Sequence, residues 1–152
     1  MHQRFNRRHP AESVFVFRGQ PTIVFVTICS RKRKPVLDNP IVHAALIDSW
    51  LEASSWLVGF YLIMPDHIHL FCAPSDDSHE IAMWVTFWKR CLRRRLKTSE
   101  RVFRAHSFHH RLRQNESYSG KWDYVRMNPV RAGLVTDSNR WPHQGVLNEL
   151  DW

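Results

Sequence analysis

The sequence predicts an α+β protein, built on one antiparallel sheet with helices on one face and an added C-terminal helix. Three observations carry that prediction. β-branched and aromatic runs bounded by turn residues alternate with segments whose apolar residues recur every three or four positions. Their order is strand, helix, strand, strand, helix, strand, helix, ferredoxin-like in its first six elements. The chain has 152 residues, 43% of them hydrophobic and seven of them Trp, enough for one domain with a real core and short for two.

Residues 1–20 are basic and irregular, punctuated by His9-Pro10 and by Gly19-Gln20. They read as an N-terminal extension to a single domain over 21–152. Thr22 to Cys29 is β-branched and aromatic, as in a buried strand. Arg31-Lys32-Arg33-Lys34 follows as a basic loop closed by Pro35. From Pro40 onward, Val42, Ala45, Leu46, Ser49, Trp50 and Ala53 recur at helical spacing. Trp56 to Ile63 and Leu70 to Ala73 read as two strands around a Met64-Pro65-Asp66 break. A second helix opens at Ser78 or His79 and runs to about Lys97, with Ile81, Val85, Trp88, Leu92 and Leu96 on one stripe. Arg90, Arg93, Arg94 and Lys97 fall on its opposite side. Ser107 to Leu112 forms another strand. The last helix begins near Asn115 or Ser117, both good caps, and buries Tyr118, Trp122 and Val125. It ends at Asn128, because Pro129 disfavours helix at the residue before it. A short strand near Gly145 to Leu147 closes the chain.

The charge balance narrows the function. Lys and Arg number 22 against 14 acids, a net charge of +8, which favours a polyanionic partner, most often nucleic acid. The four cations of that stripe on the second helix have no acids between them, so they repel one another, and a phosphate backbone would relieve that repulsion. Candidate nucleic-acid contacts are Arg31, Lys32, Arg33 and Lys34 in the loop, Arg90, Arg93, Arg94 and Lys97 on the helix, and Arg131. No apolar run approaches the ~20 residues of a membrane span, and Met1 to Pro10 holds no apolar core of a secretory signal. The three cysteines, Cys29, Cys72 and Cys91, are scattered in apolar surroundings. They read as reduced core residues, against a disulfide framework or zinc knuckle and in favour of a cytoplasmic protein.

Chemistry concentrates at His67-Ile68-His69. On a strand both imidazoles project to one face, about 7 Å apart at their roots, while Ile68 and Leu70 point to the other. That is half of a metal site. With ten histidines in the chain, such a triplet also arises by chance and can simply line a polar sheet face. On the last helix Tyr124 and Asn128 are four residues apart and share a face beside the buried stripe. They could lean over the sheet edge that carries the histidines. Asn128 would then add an oxygen ligand and Tyr124 an oxygen nucleophile, although Tyr124 also reads as a core or interfacial tyrosine. Two imidazoles and an amide oxygen suit Mn²⁺ or Mg²⁺, with zinc a further option. Such an ion polarises a phosphodiester oxygen. A phenol of pKa about 10 needs that activation. The phosphotyrosine ester can then be reversed by a 3′-hydroxyl without ATP.

The run Tyr61-Leu62-Ile63-Met64-Pro65-Asp66-His67-Ile68-His69-Leu70-Phe71, with Tyr124-Val125-Arg126-Met127-Asn128-Pro129-Val130-Arg131-Ala132-Gly133-Leu134-Val135, resembles the single-tyrosine HUH transposases. Within them it looks most like the REP-associated tyrosine transposases. Phe25-Val26-Thr27, Phe87-Trp88-Lys89-Arg90 and Phe108-His109-His110 also follow the pattern, so the resemblance covers about residues 22 to 148. It implies that His67 and His69 form the metal site, Asn128 the third ligand and Tyr124 the nucleophile. It further implies a divalent metal ion as cofactor and cleavage and rejoining of single-stranded or hairpin DNA through a 5′-phosphotyrosine, by a monomer or homodimer. Two rival readings are a nucleic-acid-binding module on the same fold and a metal hydrolase that uses water. The first lacks a Gly-rich RNP1-type run. A two-metal carboxylate nuclease is disfavoured, because the local acids, Asp66, Asp76, Asp77 and Glu80, have no partner near the tyrosine helix.

Overall fold

The computed structural model describes residues 22–75, 80–113 and 116–150. The extension over 1–20, the expected helix start at Ser78 or His79 and the Asn115 cap lie outside the described residues.

Strand β1 (Val24–Cys29) alternates buried Val24, Val26 and Ile28 with half-buried Phe25, Thr27 and Cys29. Its β-branched side chains pack one face against the main core. Helix α1 (Pro40–Glu52) starts where Asn39 accepts a hydrogen bond from the Val42 amide at 3.0 Å and Pro40 opens the first turn. It buries Val42, Ala45, Leu46, Ser49 and Trp50, as their spacing predicts. Strands β2 (Trp56–Ile63) and β3 (His67–Pro74) form a hairpin. Pro65 and Asp66 make its turn, closed by the Met64 amide donating to the His67 carbonyl at 2.8 Å.

Helix α2 (Ile81–Arg95) buries Ile81, Trp84, Val85, Trp88, Cys91 and Leu92. Strand β4 (Phe108–Arg111) and the short β5 (Gln144–Val146) complete a five-stranded antiparallel sheet of order β4-β1-β3-β2-β5. Helices α1 and α2 cover one face, where Val26, Ile28, Ile68 and Leu70 meet Trp50, Trp84 and Trp88 in one core. Helix α3 (Tyr118–Val125) covers the other, where Phe60, Leu62 and Phe71 meet Tyr118, Trp122 and Val125. This is the expected α+β arrangement, with the added helix on the face opposite the first two. No helix among the described residues is long and apolar enough to cross a membrane.

Strand β2, buried on both faces from Val58 onward, carries an irregularity. Its pairing with β3 shifts between Val58 and Tyr61. Trp56 and Val58 before the shift, and Tyr61 and Ile63 after it, all face the α1/α2 core, while Phe60 and Leu62 face α3. One extra residue changes which parity points inward.

The last helix differs from expectation. It ends at Val125, the chain turns through Arg126 and Met127, and a separate turn of helix, α4 (Asn128–Arg131), carries Pro129 at its start. Proline has no N–H to donate to the preceding helix, and its fixed φ suits a first helical turn. The break therefore falls ahead of Asn128 and not after it.

Gly59 marks the close approach of α3 to the sheet. A Cβ there would meet Tyr118 Oη at 2.5 Å and Leu150 Cδ1 at 2.6 Å. Gly59→Ala should lower stability by about 1–3 kcal/mol through overpacking, read as a lower urea midpoint. An unchanged midpoint would show that α3 does not press on β2 at this point.

Candidate active site

Placing two imidazoles side by side requires a rigid strand and partners that fix each ring. His67 and His69 begin β3, which is the central strand of the sheet and not an edge as their position suggested. Their rings are 4.8 Å apart between centroids and nearly perpendicular. Ile68 and Leu70 point into the α1/α2 core. The Asp66 carboxylate accepts from His67 Nδ1 at 2.8 Å, which fixes the tautomer and leaves Nε2 with its lone pair. Asp66 is held in turn by Arg33, whose Nε donates to its other oxygen at 2.9 Å. Partial burial raises the Asp66 pKa, but the bonds from His67 and Arg33 outweigh it and hold the carboxyl below its usual range. The backbone of this turn is pinned as well, by Ser30 N to Asp66 O at 2.9 Å and Leu37 N to Pro65 O at 3.0 Å.

His69 is fixed differently. Its Nδ1 shares a hydrogen bond with Thr27 Oγ1 at 2.8 Å, and its ring stacks on Phe25 at 5.3 Å. Burial first, and then the nearby His67 and Arg131, push its pKa down to about 3. The imidazole is therefore a neutral lone-pair donor over the ordinary pH range.

Across from this pair lies the end of α3, a helix whose start is set by the Ser117 cap, where the hydroxyl accepts from the Gly120 amide at 3.0 Å. Tyr118 and Trp122 pack on Phe71 and Phe60 at 5.1 and 4.9 Å, and this contact fixes the helix on the sheet. Tyr124 is turned away from that contact and is 68% exposed, so it is not a core residue. His67, His69, Tyr124, Asn128 and Arg131 together line a cleft of about 550 Å³, with Phe25 and Met64 in its wall. All come from one chain. Arg131 lies over the Tyr124 ring at 4.3 Å, donates to the Tyr124 carbonyl at 2.9 Å and also donates to Asn128 Oδ1. Among the described residues no group of three or more His, Cys, Asp or Glu is placed to hold a metal ion. The two imidazoles line the cleft together with the Asn128 side chain, whose amide oxygen is engaged by Arg131.

The basic residues separate into three places. Arg131 belongs to the cleft. Arg31, Lys32 and Lys34 line a hollow at the end of β1, while Arg33, also exposed, is bonded to Asp66. Arg90, Arg93, Arg94 and Lys97 belong to the α2 layer, on the far face of the sheet from the histidines. The stripe on α2 is also not free of acids as expected. Glu52 of α1 reaches across to Arg94 and Arg95, with oxygens 2.7 and 2.8 Å from their Nη2 atoms. Sequence reasoning missed Asp66 and Thr27 as supports of the imidazoles. The Asp66-His67 adjacency was a signal for the first, whereas Thr27 is visible only through strand pairing, where it sits beside His69.

No protein-family profile matches the sequence. An Escherichia coli protein described as a REP-associated tyrosine transposase is 24% identical over 143 residues, covering 84% of this chain and 82% of that protein. A Haemophilus influenzae protein provisionally given the same description is 26% identical over 110 residues, covering 59% of this chain and 62% of its own length. Among solved structures, a REP-associated tyrosine transposase bound to a REP hairpin superposes with TM-score 0.67 and 17% identity, over 86% of this chain and 82% of that one. The α+β fold is thus shared with a protein of that description.

Because His69 is held neutral when folded and protonates freely when unfolded, the unfolded chain binds the extra proton between about pH 3 and 6.5. Stability is therefore lost as pH falls through that window. In chelator, the urea midpoint should drop more steeply between about pH 6.5 and 4 for the native chain than for His69→Gln. Equal slopes would show that the ring is solvated.

Proposed function

From kinship with the REP-associated tyrosine transposases, we propose that this chain is a metal-dependent enzyme that cuts and rejoins single-stranded DNA at hairpin-flanked sites. The observation that carries the reading is the exposed Tyr124 phenol sharing one cleft with the fixed His67–His69 pair. The catalytic unit is the domain over 21–152. The free state of Cys29, Cys72 and Cys91 supports a cytoplasmic setting.

The residues fit a divalent ion such as Mn²⁺ or Mg²⁺. His67 offers Nε2 because its Nδ1–H donates to Asp66, His69 is neutral, and Asn128 adds a hard oxygen. Bound there, the ion would polarise a phosphodiester oxygen. The rest falls to the protein. Tyr124 Oη attacks phosphorus in line, the bond from phosphorus to the 3′ oxygen breaks, and that oxygen leaves with the electron pair. The phenolic proton passes to water and the 3′ oxygen takes one up. The products are a 5′-phosphotyrosine and a free 3′-hydroxyl. A second 3′-hydroxyl attacking the same phosphorus expels Oη and rejoins the strand. Arg131, stacked on the ring, holds the nucleophile at the mouth of the cleft and presents a cation to the phosphate.

A second reading rests on the bond from Arg131 to Asn128 Oδ1. If that bond persists with DNA present, the third donor stays occupied and the chain binds hairpins without cutting them.

Incubated with a hairpin oligonucleotide and Mn²⁺, the native chain should give a protein–DNA adduct on a denaturing gel. Tyr124→Phe should give none while binding is unchanged, and His67→Ala or His69→Ala should abolish cutting. Mn²⁺-dependent cleavage by either histidine variant would contradict the metal assignment. Absence of any native adduct would favour the binding reading. Asp66→Asn should weaken Mn²⁺ binding about 10- to 100-fold by calorimetry. Unchanged affinity would show that His67 needs no support from Asp66.

A further inference from the structure

A second cleft lies on the opposite layer, between α2 and the segment leading into β4. Its volume is about 280 Å³, and Lys89, Arg93, Arg101 and Arg104 stand around it over a floor of buried Phe103. Among the described residues, none of the four cations is paired with a carboxylate, and no acid lines the cleft. Lys89 is the most enclosed of them. Its Nζ donates to the Arg104 carbonyl at 2.9 Å and lies 6.0 Å from the centroid of the Phe103 ring, leaving two ammonium hydrogens for an occupant. Burial, and then Arg101, push its pKa down to about 8. Four clustered cations with no counter-charge are costly unless an anion joins them.

The location says which anion. The 101–105 segment is tied to the end of β1, through Arg104 N to Cys29 O at 2.9 Å and Arg31 N to Val102 O at 2.9 Å. Cys29 is the register partner of His67, so this cleft and the tyrosine cleft sit at the same end of the sheet on opposite faces. Between them runs the turn carrying Arg31, Lys32 and Lys34, whose hollow shares Arg101 with the cleft. A strand leaving the tyrosine cleft around this end passes Arg31, Lys32, Lys34 and Arg101, with Glu100 the one acid among the described residues lining that hollow. The cleft is smaller than the ~300–1,000 Å³ usual for a small-molecule site, which suits a phosphate with its sugar and not a large cofactor.

We propose that the Lys89/Arg101/Arg104 cleft is a backbone-phosphate site for the single-stranded DNA flanking the cut, anchoring it behind the sheet. The proposal rests on DNA being the substrate, as argued above, but not on the chain cutting it.

Binding is therefore measured without divalent ion and in a Tyr124→Phe background, so that a chain with no chemistry still reports on the cleft. A fluorescent hairpin with single-stranded flanks is titrated across a salt series. Arg101→Gln/Arg104→Gln should weaken binding several-fold and make the salt slope shallower by about 0.7 for each lost phosphate contact. Lys89→Met, which keeps the packing on Phe103, should do the same in smaller measure. Arg140→Gln, an exposed arginine elsewhere, should not. A hairpin trimmed of its flanks should be bound equally by all variants. Unchanged affinity and slope in the double variant would overturn the proposal. So would a double variant that loses inorganic phosphate binding, measured at constant ionic strength, while keeping its DNA affinity, since the cleft would then serve a free anion.

Discussion

The contact between the aromatic stripe of α3 and the open face of the sheet governs the rest of the molecule. Tyr118 and Trp122 lie on Phe71 and Phe60, and Gly59 has no side chain, which lets the helix come that close. Aromatic pairs of this kind contribute large buried area and a preferred geometry. Once they are seated, the helical period leaves Tyr124 pointing off the contact and over the beginning of β3. A sheet with this face bare would still hold the histidines, but nothing would face them.

The histidines are held by the opposite logic. Each ring is gripped from behind at Nδ1, one by a carboxylate and one by a hydroxyl. Burial of His69 costs the charged imidazolium more than the neutral ring, so the same packing that positions the ring also keeps its lone pair available. The turn that carries Asp66 is bonded to Ser30 and Leu37 through its backbone. The basic loop therefore has two tasks: Arg33 braces Asp66 behind the site, and its neighbours line a separate hollow. A charge run in a sequence does not announce such a division of labour.

Much of this was legible beforehand. The β-branched run of β1, the buried positions of the capped α1 and the tryptophan stripe of α2 follow from spacing alone, because burial on one side of a helix or strand imposes its period on the sequence. The projection of His67 and His69 to one face follows for the same reason. The shift within β2 was hidden, since a strand buried on both faces has no alternation to break. The pairing of Arg94 with Glu52 was hidden too, because residues 42 positions apart meet only through helix packing. So were the division of the last helix ahead of Asn128, the central place of β3 and the support that Thr27 gives His69. Each depends on which strands are neighbours or where a backbone bond is missing, and local propensity carries neither.

The most direct test of the account is to soak crystals of the chain with Mn²⁺ and locate the ion by its anomalous scattering. The account predicts a peak at ligand distance, roughly 2.0–2.3 Å, from the Nε2 atoms of His67 and His69, with Asn128 released from Arg131 and the Tyr124 hydroxyl facing the ion. A peak elsewhere, or one on the two rings with Tyr124 packed away from it, would contradict the account.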